Sequence, residues 1–159
     1  MLARLPEPAP DNVFLAGQVH ILHSSFRHWL GYDLGGMPWQ GEETARQLFD
    51  APFVLLAHNT AADPVFTYGN RQAMQVFALD WPALTALPSR YSAEPLERTQ
   101  REHLLQTVAR QGYIDHYAGV RIARTGQRFR IENAIVWNLL DAAGHPAGQA
   151  ACFDRWIDL

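Results

Sequence analysis

The sequence of 159 residues predicts an α+β fold, a five-stranded antiparallel sheet with helices on one face and an amphipathic helix at the N-terminus. Three observations predict it. Apolar residues recur at helical spacing from Leu15 to Trp29. Two short β-rich runs follow, Phe53 to His58 and Val65 to Tyr68. The last third reads as three consecutive strands joined by tight turns.

Each element has a local reason. After a proline-rich leader, Asp11 or Asn12 can cap a helix. Leu15, Val19, Leu22, Phe26 and Trp29 then form one apolar stripe on a helix of about 18 residues, stopped by Gly31. Glu42 to Asp50 reads as a second helix, ended by Pro52. The strand at 53–58 turns through Asn59 to Pro64 into the strand at 65–68. Asn70 can cap a helix over Arg71 to Leu79, and Asp80 a short turn with Pro82 at its start. Glu97 to Gln111 is a further helix, closed by Gly112. Tyr113 to Arg124 and Gln127 to Leu140 flank Thr125-Gly126, which reads as a two-residue hairpin loop. Pairing Arg124 with Gln127 places Val120 opposite Ile131, Ala118 opposite Asn133, and His116 opposite Ile135. That face is almost wholly apolar, and the other carries Arg121, Arg128, Arg130 and Glu132. Asp141 to Gly144 turns the chain into a last strand, Ala147 to Trp156.

Composition narrows the function. Apolar residues make up 48% of the chain, which excludes disorder. All 13 basic residues are arginine, so lysine Schiff-base and P-loop chemistry are excluded. A net charge of −3 argues against nucleic-acid binding. The longest apolar run is five residues, Phe53 to Ala57, far short of a membrane span. One cysteine, Cys152, and a leader without a signal-peptide pattern lead us to expect a cytoplasmic protein. His20, His23 and His28 lack the partners that would complete a metal set.

Several motifs carry a resemblance. Ala51-Pro-Phe-Val-Leu-Leu-Ala-His58, Ala62-Asp-Pro-Val-Phe-Thr-Tyr-Gly-Asn-Arg71 and Pro88-Ser-Arg-Tyr-Ser-Ala-Glu-Pro95 resemble bacterial stand-alone MEKHLA-domain proteins. So do Gly119-Val-Arg-Ile122, Arg128-Phe-Arg-Ile-Glu132, Val136-Trp-Asn138 and Gly148-Gln-Ala150. The resemblance spans roughly residues 13 to 159 and implies a PAS-like fold. It divides the chain into a flexible leader (1–12), an N-terminal helical segment (13–50) and the PAS-like domain (51–159). It implies a sensory or ligand-binding module; the same domain also occurs at the C-terminus of plant homeodomain leucine-zipper proteins. This chain carries no homeodomain, so nucleic-acid binding does not transfer. Light-sensing flavin PAS domains carry a cysteine in the helix that here reads Tyr68-Gly-Asn-Arg-Gln-Ala-Met74, so flavin-thiol photochemistry is not expected.

The candidate ligand-binding residues are His58, Asn70, Arg71, Ser89, Arg90, His116, Asn133, Trp137 and Gln149. His116, Asn133 and Gln149 would be polar handles on an apolar sheet face, with Trp137 opposite Gln149 and small Ala118, Ala150 and Ala151 leaving room for a cavity. The alternative is that a bulge shifts His116 outward while Asn133 and Gln149 bond to backbone. His58 could be a haem ligand or a base oriented by Asp63. Asn70 could equally be a cap, and Arg71 could pair with a carboxylate such as Glu94. Ser89 and Arg90 lie on a loop where Arg90 could hold a ligand carboxylate, or where Ser89 could cap.

Three readings stay open. One is a sensory module that binds a small organic ligand or haem and signals through its N-terminal helix or a homodimer contact. Another is a small-metabolite enzyme using His and Arg for acid–base chemistry. The third is an interaction module with a filled core.

Overall fold

The computed structural model describes residues 4–159. After a 3-10 segment at Pro10–Leu15, α1 runs Ala16–Leu30. Val13, Phe14 and Leu15 adopt left-handed φ angles, so the helix begins at Ala16 rather than at an Asp11 or Asn12 cap. Gly31, at φ 83°, ends it as expected and donates its N–H to the Arg27 carbonyl. The helices α2 (Glu42–Phe49), α3 (Arg71–Phe77), α4 (Trp81–Leu84) and α5 (Pro95–Gln111) follow. The strands are β1 (Val54–His58), β2 (Phe66–Gly69), β3 (Tyr113–Ile122), β4 (Arg128–Leu140), β5 (Pro146–Phe153) and β6 (Arg155–Asp158).

The strands form an antiparallel sheet in the order β2-β1-β5-β4-β3, with β6 paired to β4. Ile135 opposes Cys152 on β5, and Phe129 opposes Asp158 on β6. The two pairings share one register, so β6 continues β5 beyond a bend at Asp154. The sheet is thus five strands wide, with its last strand broken once.

Helices cover both faces. On one face Phe77 of α3 meets Phe129 edge-on at 5.2 Å, and Leu104 and Val108 of α5 pack with Val136. On the opposite face lies α1. Its Phe26 contacts Trp137 edge-on at 5.0 Å, and Trp137 Nε1 donates to the Leu22 carbonyl. Val19, Leu22 and Phe26 are all buried, so the predicted stripe is a core stripe rather than a free surface. Fixed polar contacts reinforce this docking: Trp29 Nε1 donates to the Asn138 carbonyl, and the Leu140 N–H donates to Ser25 Oγ.

The β3–β4 hairpin departs from its expected register. Ala123 N–H donates to the Gln127 carbonyl, and Gly126 N–H closes on Ala123 with Gly126 at φ 90°. The loop is therefore three residues, Arg124 to Gly126, the type that places glycine in the left-handed region. That extra residue shifts the pairing by one, so Arg121 opposes Phe129 and Ile122 opposes Arg128. Arg121 accordingly joins the inner face with Phe129, not the solvent face with Arg128 and Arg130. Two bulges then correct the alternation farther along. His116 (φ 54°) and Asn133 (φ 53°) are both left-handed and sit where the ladder shifts.

Candidate functional site

The inner face of the sheet and α5 enclose a cavity of about 70 Å³. Its wall is mostly apolar, with Leu56, Phe66, Phe77, Leu104, Ile131 and Val136. Its polar members are His58, Ser92, Arg101, Tyr117, Arg121 and Gln149. The strand pairing explains part of this set. His58 opposes Gln149, which opposes Asn138, so one polar row crosses β1, β5 and β4. Gln149 Nε2 donates to Asn138 Oδ1 at 2.9 Å and to the Leu105 carbonyl at 3.1 Å. Asn138 Nδ2 donates to the Val108 carbonyl on α5 at 2.9 Å. His58, Leu105 and Gln149 also line a neighbouring groove of about 390 Å³ that extends past Asn59, Gln106 and Pro146.

His58 holds its ring by an Nδ1 contact to the Asn59 carbonyl at 2.9 Å. Its Nε2 is buried and finds no hydrogen-bond partner among the described residues. Burial pushes its pKa below the ordinary 6.5 and the Arg101 charge adds to this, while the Asn59 carbonyl and the adjacent Gln149 side chain oppose it, the latter without reaching the geometry of a hydrogen bond to Nε2. The imidazole is therefore neutral at pH 7, with one free ring position.

Arg101 and Arg121 are 7% and 8% exposed, and neither takes part in an ion pair among the described residues. Arg101 Nη2 donates to Ser89 Oγ at 2.6 Å. Arg121 donates from Nη1 to the Val120 carbonyl and from Nη2 to the Tyr117 hydroxyl. Burial pulls the Arg101 pKa down to about 10, with the Arg121 charge acting in the same direction. The Arg101 guanidinium therefore still carries its charge at neutral pH.

The predicted residues divide clearly. His58 and Gln149 line the cavity, and Ser89 holds the arginine that does. Asn70 is fully buried elsewhere and directs all four of its amide hydrogen bonds to backbone groups. Arg71 lies on the surface against Asp50, while Glu94 pairs with Arg128 instead. Arg90 is on the surface, pairs with Asp63 and stacks on Tyr91. Asp63 is thus engaged by Arg90 and not by His58. The bulges turn His116 and Asn133 outward, where their side chains bond to each other at 2.6 Å. Trp137 opposes Ala150, not Gln149, and lies under α1. The expectation that His116, Asn133, Trp137 and Gln149 share one face therefore fails, through the register shift and the bulges.

Sequence reasoning did not select Arg101, Arg121, Tyr117 or Asn138. For Arg101 a signal exists: with Leu104 and Val108 it occupies the inward i, i+3, i+7 stripe of α5. For Arg121 only the true register supplies one.

A flavin or haem does not fit inside the inner cavity, and only the neighbouring groove of about 390 Å³ reaches the size such a group needs. Cofactor-sized ligands occupy clefts of roughly 300–1,000 Å³, against about 70 Å³ in the inner cavity. The sole cysteine lies on β5 opposite Ile135, away from the cavity. Burial pushes its thiol up to about 12.

Comparison with known proteins agrees with this fold. The chain is 24% identical over 116 residues to homeobox-leucine zipper protein HOX9 of rice, in both Oryza sativa subsp. indica and subsp. japonica. The match covers 73% of this chain and 14% of those proteins. The fold resembles the PAS domain of a Colwellia psychrerythraea protein, with TM-score 0.62 and 10% identity over 74% of this chain and 95% of that one. A light-oxygen-voltage domain studied with a flavin analogue matches at TM-score 0.58 and 10% identity, over 74% and 84%. The light-state dimer of the fungal photoreceptor Vivid matches at 0.53 and 12%, over 65% and 77%. These likenesses establish a PAS-like fold. The family model of the MEKHLA domain matches residues 16–158, so this chain belongs to the MEKHLA domain family.

Proposed function

We propose that this protein is a PAS-like sensory module that binds a small molecule between its sheet and α5, and that α1 carries the response. The observation that supports binding most directly is the buried, unpartnered Nε2 of His58 beside the cavity. A buried polar atom left without a partner costs roughly 1–3 kcal/mol, which a bound ligand would offset.

The involvement of α1 is supported by Asn138. Its side chain bonds to α5 and to Gln149 of the cavity wall, while its carbonyl accepts from Trp29 of α1. One residue thus touches helices on both faces of the sheet. A ligand that shifts α5 alters the footing of α1 through this strand position. In this reading, residues 51–159 form the binding unit and residues 13–50 the responding one.

Native mass spectrometry of gently purified protein, with an absorption spectrum, tests binding. The expected result is a colourless protein carrying a small added mass. Hydrogen exchange before and after stripping that molecule should then show changed protection in both α5 and α1. Recovery of the molecule in converted form would turn the reading toward catalysis. A protein that carries nothing, and that no metabolite stabilises, would refute binding and favour an interaction module with a filled core.

A further inference from the structure

We propose that the cavity recognises a small carboxylate, with Arg101 and Arg121 as its charge partners; this rests on the reading of the cavity as a ligand site. Two cations on separate elements, α5 and β3, line one cavity while more than nine-tenths buried. Their recorded partners are all neutral: Ser89 Oγ, the Val120 carbonyl and the Tyr117 hydroxyl. Two carboxylates act on Arg101 from a distance, Glu102 beside it on α5 and Asp63, but neither comes within ion-pair distance of it, and Asp63 is engaged by Arg90 on the surface. Buried charges are ordinarily paired, because desolvation is costly without a counter-charge. Here the missing counter-charge faces a cavity.

The remaining wall fixes the rest of the ligand. Leu56, Phe66, Phe77 and Ile131 offer no polar group, so the body attached to the anionic head is apolar. Water occupies about 30 Å³ per molecule in the liquid, so a cavity of about 70 Å³ takes a body of only a few heavy atoms. Acetate and propionate are that size. A guanidinium fork matches a carboxylate in two parallel hydrogen bonds. The other wall of His58 and Gln149 faces the larger groove, which supplies a route inward.

The test is isothermal titration and thermal melting with sodium acetate and sodium propionate, at ionic strength held constant with sodium chloride. Acetamide and propionamide serve as neutral matches of the same shape, and inorganic phosphate as an anion without an apolar body. The full chain is compared with Arg101→Gln and Arg121→Met. Carboxylates should bind saturably, and each variant should weaken them at least tenfold. The ligand-free variants should melt at or above the parent temperature, because an unpaired buried charge has been removed. A lower melting temperature for both free variants would show structural arginines and overturn the proposal. Equal binding of amides or of phosphate would overturn it as well. If no carboxylate binds but native mass spectrometry finds a neutral guest, the carboxylate assignment fails while the sensory reading stands. If nothing binds by either method, both fail.

Discussion

Replacing Asn70 with alanine should destabilise this protein by about 3–5 kcal/mol. Asn70 follows β2 and, in the β1–β2 register, would pair with Leu55. Its own carbonyl instead accepts from Met74 at the start of α3. The side chain takes over the strand's role: Oδ1 accepts from Leu55 N at 3.1 Å and caps α3 by accepting from Ala73 N at 3.0 Å. Nδ2 donates to the Leu48 carbonyl at 3.1 Å and to the Phe53 carbonyl at 2.8 Å. One amide thus joins α2, β1 and α3 with no exposure to solvent. Losing the cap costs about 1 kcal/mol, and each of the other three bonds about 0.5–1.5 kcal/mol. Against a total stability of roughly 5–15 kcal/mol, that is a large fraction. For a chain of this size it corresponds to a fall in Tm of about 6–20 °C. Urea unfolding followed by circular dichroism and tryptophan fluorescence measures the loss, with calorimetry for Tm. Asn70→Ser retains an acceptor for Ala73 N and should recover about 1 kcal/mol. A loss under about 1 kcal/mol for the alanine variant, with an unchanged denaturant slope, would refute the reasoning.

Two further outcomes follow from burial. His58 has a pKa depressed below its unfolded value of 6.5, so the unfolded chain binds its proton more readily. Stability should therefore fall as pH drops below about 6.5, and His58→Gln should flatten that part of a denaturation profile; an unchanged slope counts against a buried neutral imidazole. Cys152, half-buried and with its thiol pushed up to about 12, should react with a thiol-disulfide reagent at pH 8 more slowly in the folded protein than in guanidinium chloride. Rapid reaction of native protein would contradict its placement.

The order of elements was legible because local chemistry specifies it. The helical stripe of α1, the Gly31 stop, the Asn70 and Asp80 caps and the closing Gly112 each act within a few residues of themselves. The family was equally legible, since its motifs lie along the chain in order and the matched region is nearly the whole of it. Of the site, Gln149 stood out as a polar residue on an apolar face and His58 as an imidazole able to serve as a ligand or base, and both line the cavity. Asn70 was legible both as a candidate ligand residue and as a helix cap, and its bonds are those of the cap and of the strand beside it.

What the sequence alone determined, then, is what propensity and capping decide at short range: which segments are helix or strand, and where they stop. Which side chains meet was decided by tertiary pairing. One extra residue in the hairpin loop carried Arg121 from the solvent face to the inner face, because strand side chains alternate with a period of two. The facing bulges at His116 and Asn133 then turned two predicted ligand residues outward. Arg101 reached the same cavity only because α5 lies across β3 and β4 rather than elsewhere on the sheet. Residues distant in the chain become neighbours through register and packing, and neither is written in any single segment.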